Sequence, residues 1–370
     1  MLAVRVLAFV AGALIVQGVL RSAIKTVVVP RGENSKLTRL VFLTSRAVFD
    51  LVAKTRKDDV ARAATLAKFA PSSLILLTAS WALITIIGFV PMYWAGDTHT
   101  LVESLYLSGS SVTTLGFVAA QGWFETLLSV VEALIGLGLV ALLISYLPTI
   151  YTLFNRREVE VVKLDVRAGS PPSALAMLRR FHRIGWLDQL DETWIAWEDW
   201  FTELEESHTS HPSLAFFRSQ RINSSWITCA GAVLDTASIQ MSCLDFPFNA
   251  RASITVRSGF MALRAIAGYY GVPFDDAPEP NAPISIYREE FDLLWIELER
   301  EGLPLRSDQE QAWRDFAGWR VNYDVPLLAL CALADAPATS WSSDRIDGYH
   351  RPTLRRRRWV IEHPDMPPSW

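Results

Sequence analysis

Residues 104–118 read SLYLSGSSVTTLGFV and lie between two long apolar stretches of the chain. Thr114 can offer both a hydroxyl and a carbonyl oxygen, and Gly116 permits positive φ, so that its carbonyl can turn toward a bound ion. Backbone carbonyls from a short extended loop can replace the water around a dehydrated cation. Irregular backbone at membrane depth is tolerated only where it lines water or is buried in protein. Residues of these types between two apolar stretches can therefore provide oxygen ligands for a cation.

The end of this stretch resembles the pore loop of the potassium channel family, whose signature is Thr-Val-Gly-Tyr-Gly. The match runs from Thr114 to Phe117 and ends at Val118. The resemblance covers residues 71–155 and implies an outer helix, a short pore helix, a filter and an inner helix. It also implies that a homotetramer closes one filter, which binds K⁺ ions. We call residues 113–118 the filter-like segment, and its implied ion-binding residues are Thr113, Thr114, Leu115, Gly116, Phe117 and Val118.

Three positions depart from the family pattern. The last glycine of the signature normally takes positive φ, so the β-branched Val118 is expected to be strained there by about 1–3 kcal/mol. This predicts a distorted outer end of the filter and weaker discrimination between K⁺ and Na⁺. Ser110 and Ala119 stand where some family members carry carboxylates next to the filter, so a brace from these positions is expected to be absent. An ordinary turn between two helices is the alternative interpretation.

Three stretches are long and apolar enough to cross a bilayer, which requires roughly 20 apolar residues. They cover residues 2–20, 71–94 and 124–154. Eleven Lys and Arg lie between Arg21 and Lys68, and none lies between Tyr93 and Trp123. Because cytoplasmic loops carry the excess of Lys and Arg, the first connection and residues 156–370 are predicted to be cytoplasmic. The chain is thus expected to be a multi-pass membrane protein, and its resemblance to prokaryotic members of the family implies a prokaryotic plasma membrane. A cleaved signal peptide is the alternative for the first stretch.

The third stretch carries residues that can bend a helix. Gly136 and Gly138 lie near its middle, where the family's inner helix often bends, and Pro148 follows; proline removes a backbone donor and kinks a helix. These residues are predicted to form a gating hinge, although small residues can also simply permit close helix packing. The connector at 36–54 alternates apolar and basic residues at helical spacing. It is predicted either to contact anionic lipid at the membrane surface or to pack on the soluble domain.

The composition of the chain changes after Phe154. Up to that residue there are 12 Lys and Arg against 8 Asp and Glu, whereas the remainder has 23 against 31. We therefore divide the chain into an N-terminal helix with its basic connector, a pore domain, an acidic soluble domain, and a tail rich in Arg, Pro and Ser. These cover residues 1–70, 71–155, 156–335 and 336–370. The predicted fold is an all-α membrane protein with a mainly helical cytoplasmic domain.

Apolar residues at helical spacing predict most of the soluble domain. Helices are predicted at 173–184, 188–206, 226–243, 251–269, 286–301 and 308–333, with a short strand at 159–167. Trp194, Trp197 and Phe201 form an aromatic stripe that is expected to be core. His208 and His211 could share a metal ion, but no further ligand cluster is evident in the sequence, and no glycine-rich nucleotide loop follows a strand. No catalytic residue, metal or cofactor is therefore assigned, apart from K⁺ in the filter.

Together these patterns favour a tetrameric cation channel, with K⁺ as the leading ion and a cytoplasmic domain that responds to an unidentified ligand. Membrane lipid and further copies of the chain are the expected partners, and nucleic acid is not expected. Two alternatives are a weakly selective cation channel and a non-conducting membrane sensor or scaffold with a channel-like shell. A membrane-tethered enzyme is disfavoured, because no nucleophile–base pair or metal cluster is recognisable.

Overall fold

The computed structural model describes residues 2–29, 35–96, 99–354, 356 and 358–362. The chain is mostly helical and divides into two compact units, Met1–Thr152 and Leu153–Trp370. Three helical stretches are long and apolar enough to cross a membrane: Leu2–Val27, Val60–Trp94 and Gly122–Ala168. A mainly helical protein with three such stretches is therefore confirmed, and these stretches include the three predicted from composition.

The first unit is formed by five helices and the first part of a sixth. They are α1 (Leu2–Val27), α2 (Lys36–Lys54), α3 (Asp59–Ala67), α4 (Phe69–Trp94), α5 (Leu101–Val112) and α6 (Gly122–Ala168). The strand predicted at 159–167 is wrong, because these residues belong to α6. Val161, Leu164 and Ala168 are buried at spacings of one helical turn, so the alternating pattern also forms a helical stripe.

α1 packs closely along α4. A Cβ atom on Gly12 would lie 2.3 Å from the Gly88 carbonyl oxygen, and a Cβ on Gly88 would lie 2.7 Å from a methyl group of Val16. Glycine at both positions therefore permits the two backbones to approach, as small residues do between membrane helices. Elsewhere between the same two helices, the Trp81 indole N–H of α4 donates a hydrogen bond to the Ser22 hydroxyl of α1 at 3.1 Å. These contacts make α1 an integral part of the first unit.

The connector helix α2 is amphipathic, as its sequence indicates. One face contacts α4, where the Ser45 and Ser73 hydroxyl groups hydrogen bond at 2.8 Å. The opposite face is exposed in the single chain, and its large apolar residues are Leu40, Val48 and Leu51. An exposed apolar face beside basic residues is compatible with lipid contact.

The second unit contains the remainder of α6 and seven further helices in the part of the chain that the structure describes. They are α7 (Ala174–Arg183), α8 (Leu190–Ser210), α9 (Trp226–Cys243), α10 (Ala250–Tyr269), α11 (Arg288–Arg300), α12 (Gln309–Arg320) and α13 (Asp324–Ala334). Short 3₁₀ helices occur at Leu187–Gln189, Pro212–Phe216 and Ser343–Arg345, and strands β1 (Tyr349–His350) and β2 (Val360–Ile361) pair antiparallel.

The helix predicted at 308–333 is two helices, α12 and α13, separated by Val321–Tyr323. Pro326 lies in the first turn of α13 and has no backbone N–H, so it cannot donate to the carbonyl of Asn322 as a continuous helix would require. That carbonyl instead accepts a hydrogen bond from Arg264 Nε at 2.9 Å. The break is therefore satisfied by a contact from α10 that the sequence pattern does not reveal.

The core of the second unit surrounds α9, all of whose residues are buried. The aromatic stripe of α8 is buried beside it, so its assignment to the core is confirmed. The core also holds an ionic group: Arg320 donates to Asp235 Oδ1 and to Asp324 Oδ1, each at 2.7 Å. Tail residues Tyr349 and Trp359 pack on the same core, whereas two positions of the Arg355–Arg358 run lie outside the described residues.

Candidate functional site

The filter-like segment follows directly from the C-terminus of α5. The helix starts with a capping box, in which the Glu103 backbone N–H donates to Thr100 Oγ1 and the Thr100 backbone N–H donates to the Glu103 carboxylate. The sequence also offers Asp97 or Thr98 as the cap of this helix, and both residues lie outside the described part of the chain. Thr113 ends the helix, and its hydroxyl donates to the Gly109 carbonyl at 2.6 Å.

The backbone of the filter-like segment makes a tight turn beyond α5. Thr114 and Gly116 take positive φ, at 58° and 68°. The Thr114 N–H donates to the Ser111 carbonyl at 3.0 Å, and the Leu115 N–H donates to the Ser110 carbonyl at 3.1 Å. Positive φ at alternate residues turns successive peptide planes in different directions. The segment is therefore a turn held by the end of α5, and it is less extended than the resemblance implies.

The strain expected at Val118 is not present, because its φ is not positive. The left-handed position that carries a β-branched side chain is Thr114, which costs roughly 1–3 kcal/mol. Val118 is half-buried and packs on the cluster that contains Leu107 and Leu128. Its backbone N–H donates to the Ser110 hydroxyl at 3.1 Å. The Ser110 hydroxyl therefore holds the segment, a contact that was not expected from the lack of a carboxylate at this position.

Five residues of the filter-like segment are exposed on the single chain: Thr113, Thr114, Leu115, Gly116 and Phe117. The aromatic residue of the segment, Phe117, is 60% exposed. One face of α6 is also apolar and exposed on the single chain; it is formed by Leu127, Val130, Leu134 and Leu137. Exposed apolar residues in a membrane unit can face lipid or another protein chain. The segment thus has the accessibility that assembly around an ion would require.

A carboxyl group beyond the segment holds the start of α6, and the sequence motif did not identify it. Glu125 is 2% exposed and accepts a hydrogen bond from the Gln121 backbone N–H at 2.7 Å. His99 Nε2 lies 3.0 Å from the same carboxyl oxygen. These contacts connect the residues before α5 to those after the filter-like segment. The sequence feature that could have identified Glu125 is an ionisable side chain in the first turn of an apolar helix, where such residues are rare.

A second buried carboxyl group, that of Glu132 on α6, contacts both α4 and α5. It accepts hydrogen bonds from the hydroxyl groups of Tyr93 and Ser108. No role was predicted for it from the sequence, although an ionisable residue in an apolar helix is the same signal. Both carboxyl groups fall on the face of α6 that contacts α5 or the residues flanking it.

The structure separates the three predicted hinge residues. Gly136 lies against α5, because a Cβ at this position would come 2.1 Å from the Val112 carbonyl oxygen. A Cβ on Gly138 would meet no atom within 4 Å, and Pro148 is exposed. α6 passes through all three as one helix. Close helix packing, the alternative interpretation, therefore accounts for Gly136 but not for Gly138.

The two histidines of the second unit differ in burial: His208 is buried, whereas His211 is half-buried. In the described ranges no group of three or more His, Cys, Asp or Glu is placed to hold a metal ion. His208 is buried and accepts a hydrogen bond from Arg157 Nη1 at 3.3 Å, while its Nδ1 lies 3.0 Å from the Leu204 carbonyl. Burial, followed by the positive charge of Arg157, lowers the pKa of His208 well below its usual value.

The three cysteines of this unit, Cys229, Cys243 and Cys331, are unpaired and buried. Burial raises the pKa of the Cys243 thiol to about 12, and it also raises the pKa values of the other two. Thiols in this state are poor nucleophiles and poor metal ligands. The observed contacts of the second unit are thus those of a packed core.

Comparisons with protein-family models, with curated proteins and with solved structures find no match to this chain. The resemblance of residues 71–155 to a potassium channel pore therefore rests on the residues of the filter-like segment and on the helices around it.

Proposed function

We propose that this chain is one subunit of a homotetrameric cation channel in a prokaryotic plasma membrane, with K⁺ as the leading ion. The observation that carries the proposal is the filter-like segment. It follows a short helix, it lies between two apolar helices, and it alternates left-handed residues at Thr114 and Gly116. Four such segments around one axis would surround a cation with main-chain oxygens.

The exposed surfaces of the single chain support assembly. A lone filter-like segment leaves its oxygen-bearing residues exposed at Thr113 and Thr114, beside the apolar surface of α6. In a tetramer, neighbouring chains and the central cavity would cover these surfaces. The basic connector at residues 36–68 supports an orientation in which it and the second unit are cytoplasmic, since Lys and Arg favour that side.

A weakly selective cation channel is the second candidate, and one observation favours it. The N–H groups of Leu115 and Gly116 both donate to the Ser110 carbonyl, at 3.1 and 3.4 Å. This turn shortens the extended stretch that a row of equivalent ion sites requires, and fewer sites discriminate less between K⁺ and Na⁺. The second unit would then bias opening if its unidentified cytoplasmic ligand binds the two states unequally.

Ion flux through purified protein in phospholipid vesicles tests the proposal. We expect K⁺ efflux from vesicles with wild-type protein and little efflux from vesicles with Gly116→Ala, because alanine is strained at φ 68°. Gly109→Ala is the matched control: this glycine lies within α5, has open space around it, and has no positive φ. Absence of flux with the wild type, in vesicles shown to contain the tetramer, would favour the non-conducting sensor or scaffold.

A further inference from the structure

One buried carboxyl group joins three helices of the first unit. Glu132 lies on α6 and has no exposed surface. Its Oε2 accepts a hydrogen bond from the Tyr93 hydroxyl of α4 at 2.9 Å, and its Oε1 accepts one from the Ser108 hydroxyl of α5. Tyr93 and Ser108 are also completely buried. Helices that are separate along the chain therefore meet at one side chain.

The hydroxyl contacts continue toward the end of α5. The Tyr93 hydroxyl oxygen lies 3.5 Å from Ser111 Oγ, and the Ser111 and Ser129 hydroxyl groups lie 2.5 Å apart. Ser129 belongs to α6, in the turn before Glu132. Both of the last two turns of α5 are therefore connected to α6 by polar contacts, which place the helix more specifically than apolar packing does.

A carboxyl group is a costly residue for this position. An apolar side chain would fill a helix contact in a membrane unit without loss of hydration, whereas an ionisable group must be desolvated there. In the described part of the chain, the hydrogen-bond partners of Glu132 are hydroxyl groups, and no Lys, Arg or His contacts it. Ionisable residues within membrane helices generally serve function rather than packing.

The end of α5 determines where the filter-like segment begins. The Thr114 N–H donates to the Ser111 carbonyl, so the first left-handed residue is tied to the last turn of α5. One turn along α6 from Glu132, Gly136 lies against the Val112 carbonyl. α6 therefore contacts α5 at two successive levels, and a change at Glu132 would displace the helix end that carries the segment.

We propose that Glu132 is a positioning residue for ion permeation: its hydrogen bonds to Ser108 and Tyr93 hold α5, and with it the filter-like segment, in place. The inference rests on the channel function proposed above. This positioning depends on the two hydrogen bonds and not on the charge of the carboxyl group. Glutamine has the same shape and can both accept from and donate to a hydroxyl group, so it will retain the role, whereas leucine will lose it.

The test uses full-length protein in planar phospholipid bilayers and measures reversal potentials under mixed K⁺ and Na⁺. We expect Glu132→Leu, which removes both hydrogen bonds, to lower the K⁺/Na⁺ permeability ratio by about five- to tenfold, the combined scale of two hydrogen bonds near the lower end of their usual range. Tyr93→Phe removes one of the two bonds and should lower the ratio by a smaller factor, while Glu132→Gln should keep it. Tyr93→Phe also provides the test if Glu132→Leu does not assemble.

Leu139→Ala is the matched control for loosened packing, because Leu139 is buried two turns after Glu132 on α6 and packs in a separate cluster with Val19 and Trp81. It should lower the thermal stability of the tetramer and leave the permeability ratio unchanged. Conduction by the wild type with an unchanged ratio in Glu132→Leu and Tyr93→Phe would overturn the role of Glu132 alone. An equal decrease of the permeability ratio in Glu132→Gln and Glu132→Leu would assign the effect to charge and overturn the hydrogen-bond role. A wild type without conduction would overturn the channel function as well.

Discussion

The Ser110 hydroxyl accepts a hydrogen bond from the Val118 backbone N–H at 3.1 Å, across the turn that contains the filter-like segment. One end of this bond is in α5 and the other is at the last residue of the segment. The turn is thus closed on the helix that precedes it. A valine can occupy this position because the bond needs a backbone N–H and an ordinary negative φ, which any residue other than proline provides.

Replacing Ser110 by alanine should loosen this turn. The Val118 N–H would lose its acceptor, and a poorly hydrated unpaired N–H costs about 1–3 kcal/mol. We expect a lower K⁺/Na⁺ permeability ratio, measured from reversal potentials in bilayers. Ser104→Ala is the matched control, because Ser104 is buried in the same helix and its hydroxyl has no partner among the described residues. Equal effects of the two substitutions would contradict the prediction.

The two glycines of α6 should respond differently to alanine. Gly136→Ala would place a methyl group 2.1 Å from the Val112 carbonyl oxygen, so α5 and α6 must separate. We expect reduced tetramer stability on heating and reduced K⁺ flux. Gly138→Ala meets open space, and alanine favours a helix by about 1 kcal/mol over glycine. Gly138→Ala should therefore preserve tetramer stability and K⁺ flux. If it instead reduced flux as much as Gly136→Ala does, the prediction that both glycines form a hinge would be supported.

The proposed orientation can be tested with single introduced cysteines. Lys57 and Gln121 are both exposed, and they lie on opposite sides of α4 in the sequence. Gln121→Cys should react with a membrane-impermeant thiol reagent in intact cells, whereas Lys57→Cys should react only after the membrane is opened. The native cysteines give little background because all three are buried. The reverse order of labelling would overturn the proposed orientation.

His208 should make the stability of the second unit depend on pH. Its pKa is lowered in the folded state, chiefly by burial and then by Arg157, and it returns to about 6.5 on unfolding. The unfolded chain therefore binds the extra proton, so stability is complete above about pH 6.5 and falls as the pH decreases below that value. The slope should approach about 1.4 kcal/mol per pH unit.

Denaturant unfolding followed by tryptophan fluorescence measures this slope, since eleven of the fourteen Trp lie after Phe154. His208→Gln should be less pH-dependent between pH 5 and about 6.5, because glutamine can accept a hydrogen bond from Arg157 but does not titrate in that range. An unchanged slope in His208→Gln would assign the pH dependence to other groups.

Several features of this protein follow from the sequence alone. Long apolar stretches can form only helices in a membrane, because every backbone polar group must be paired within the segment. Most helices of the second unit follow from apolar spacing, and the aromatic stripe of Trp194 and Trp197 is in the core as expected. The filter-like segment is also recognisable locally, since Thr114 and Gly116 lie two residues apart in a short motif.

Other features were decided by the tertiary structure, because they depend on contacts between residues that are distant in sequence. The family pattern predicts a positive φ at Val118. In the structure, Val118 is hydrogen-bonded to Ser110, and the positive φ occurs at Thr114, in the turn that follows α5. Glu132 has partners 24 and 39 residues away, and no local pattern brings them together. Gly136 and Gly138 look equivalent in sequence, but only one of them faces α5, because a helix turns about 100° per residue.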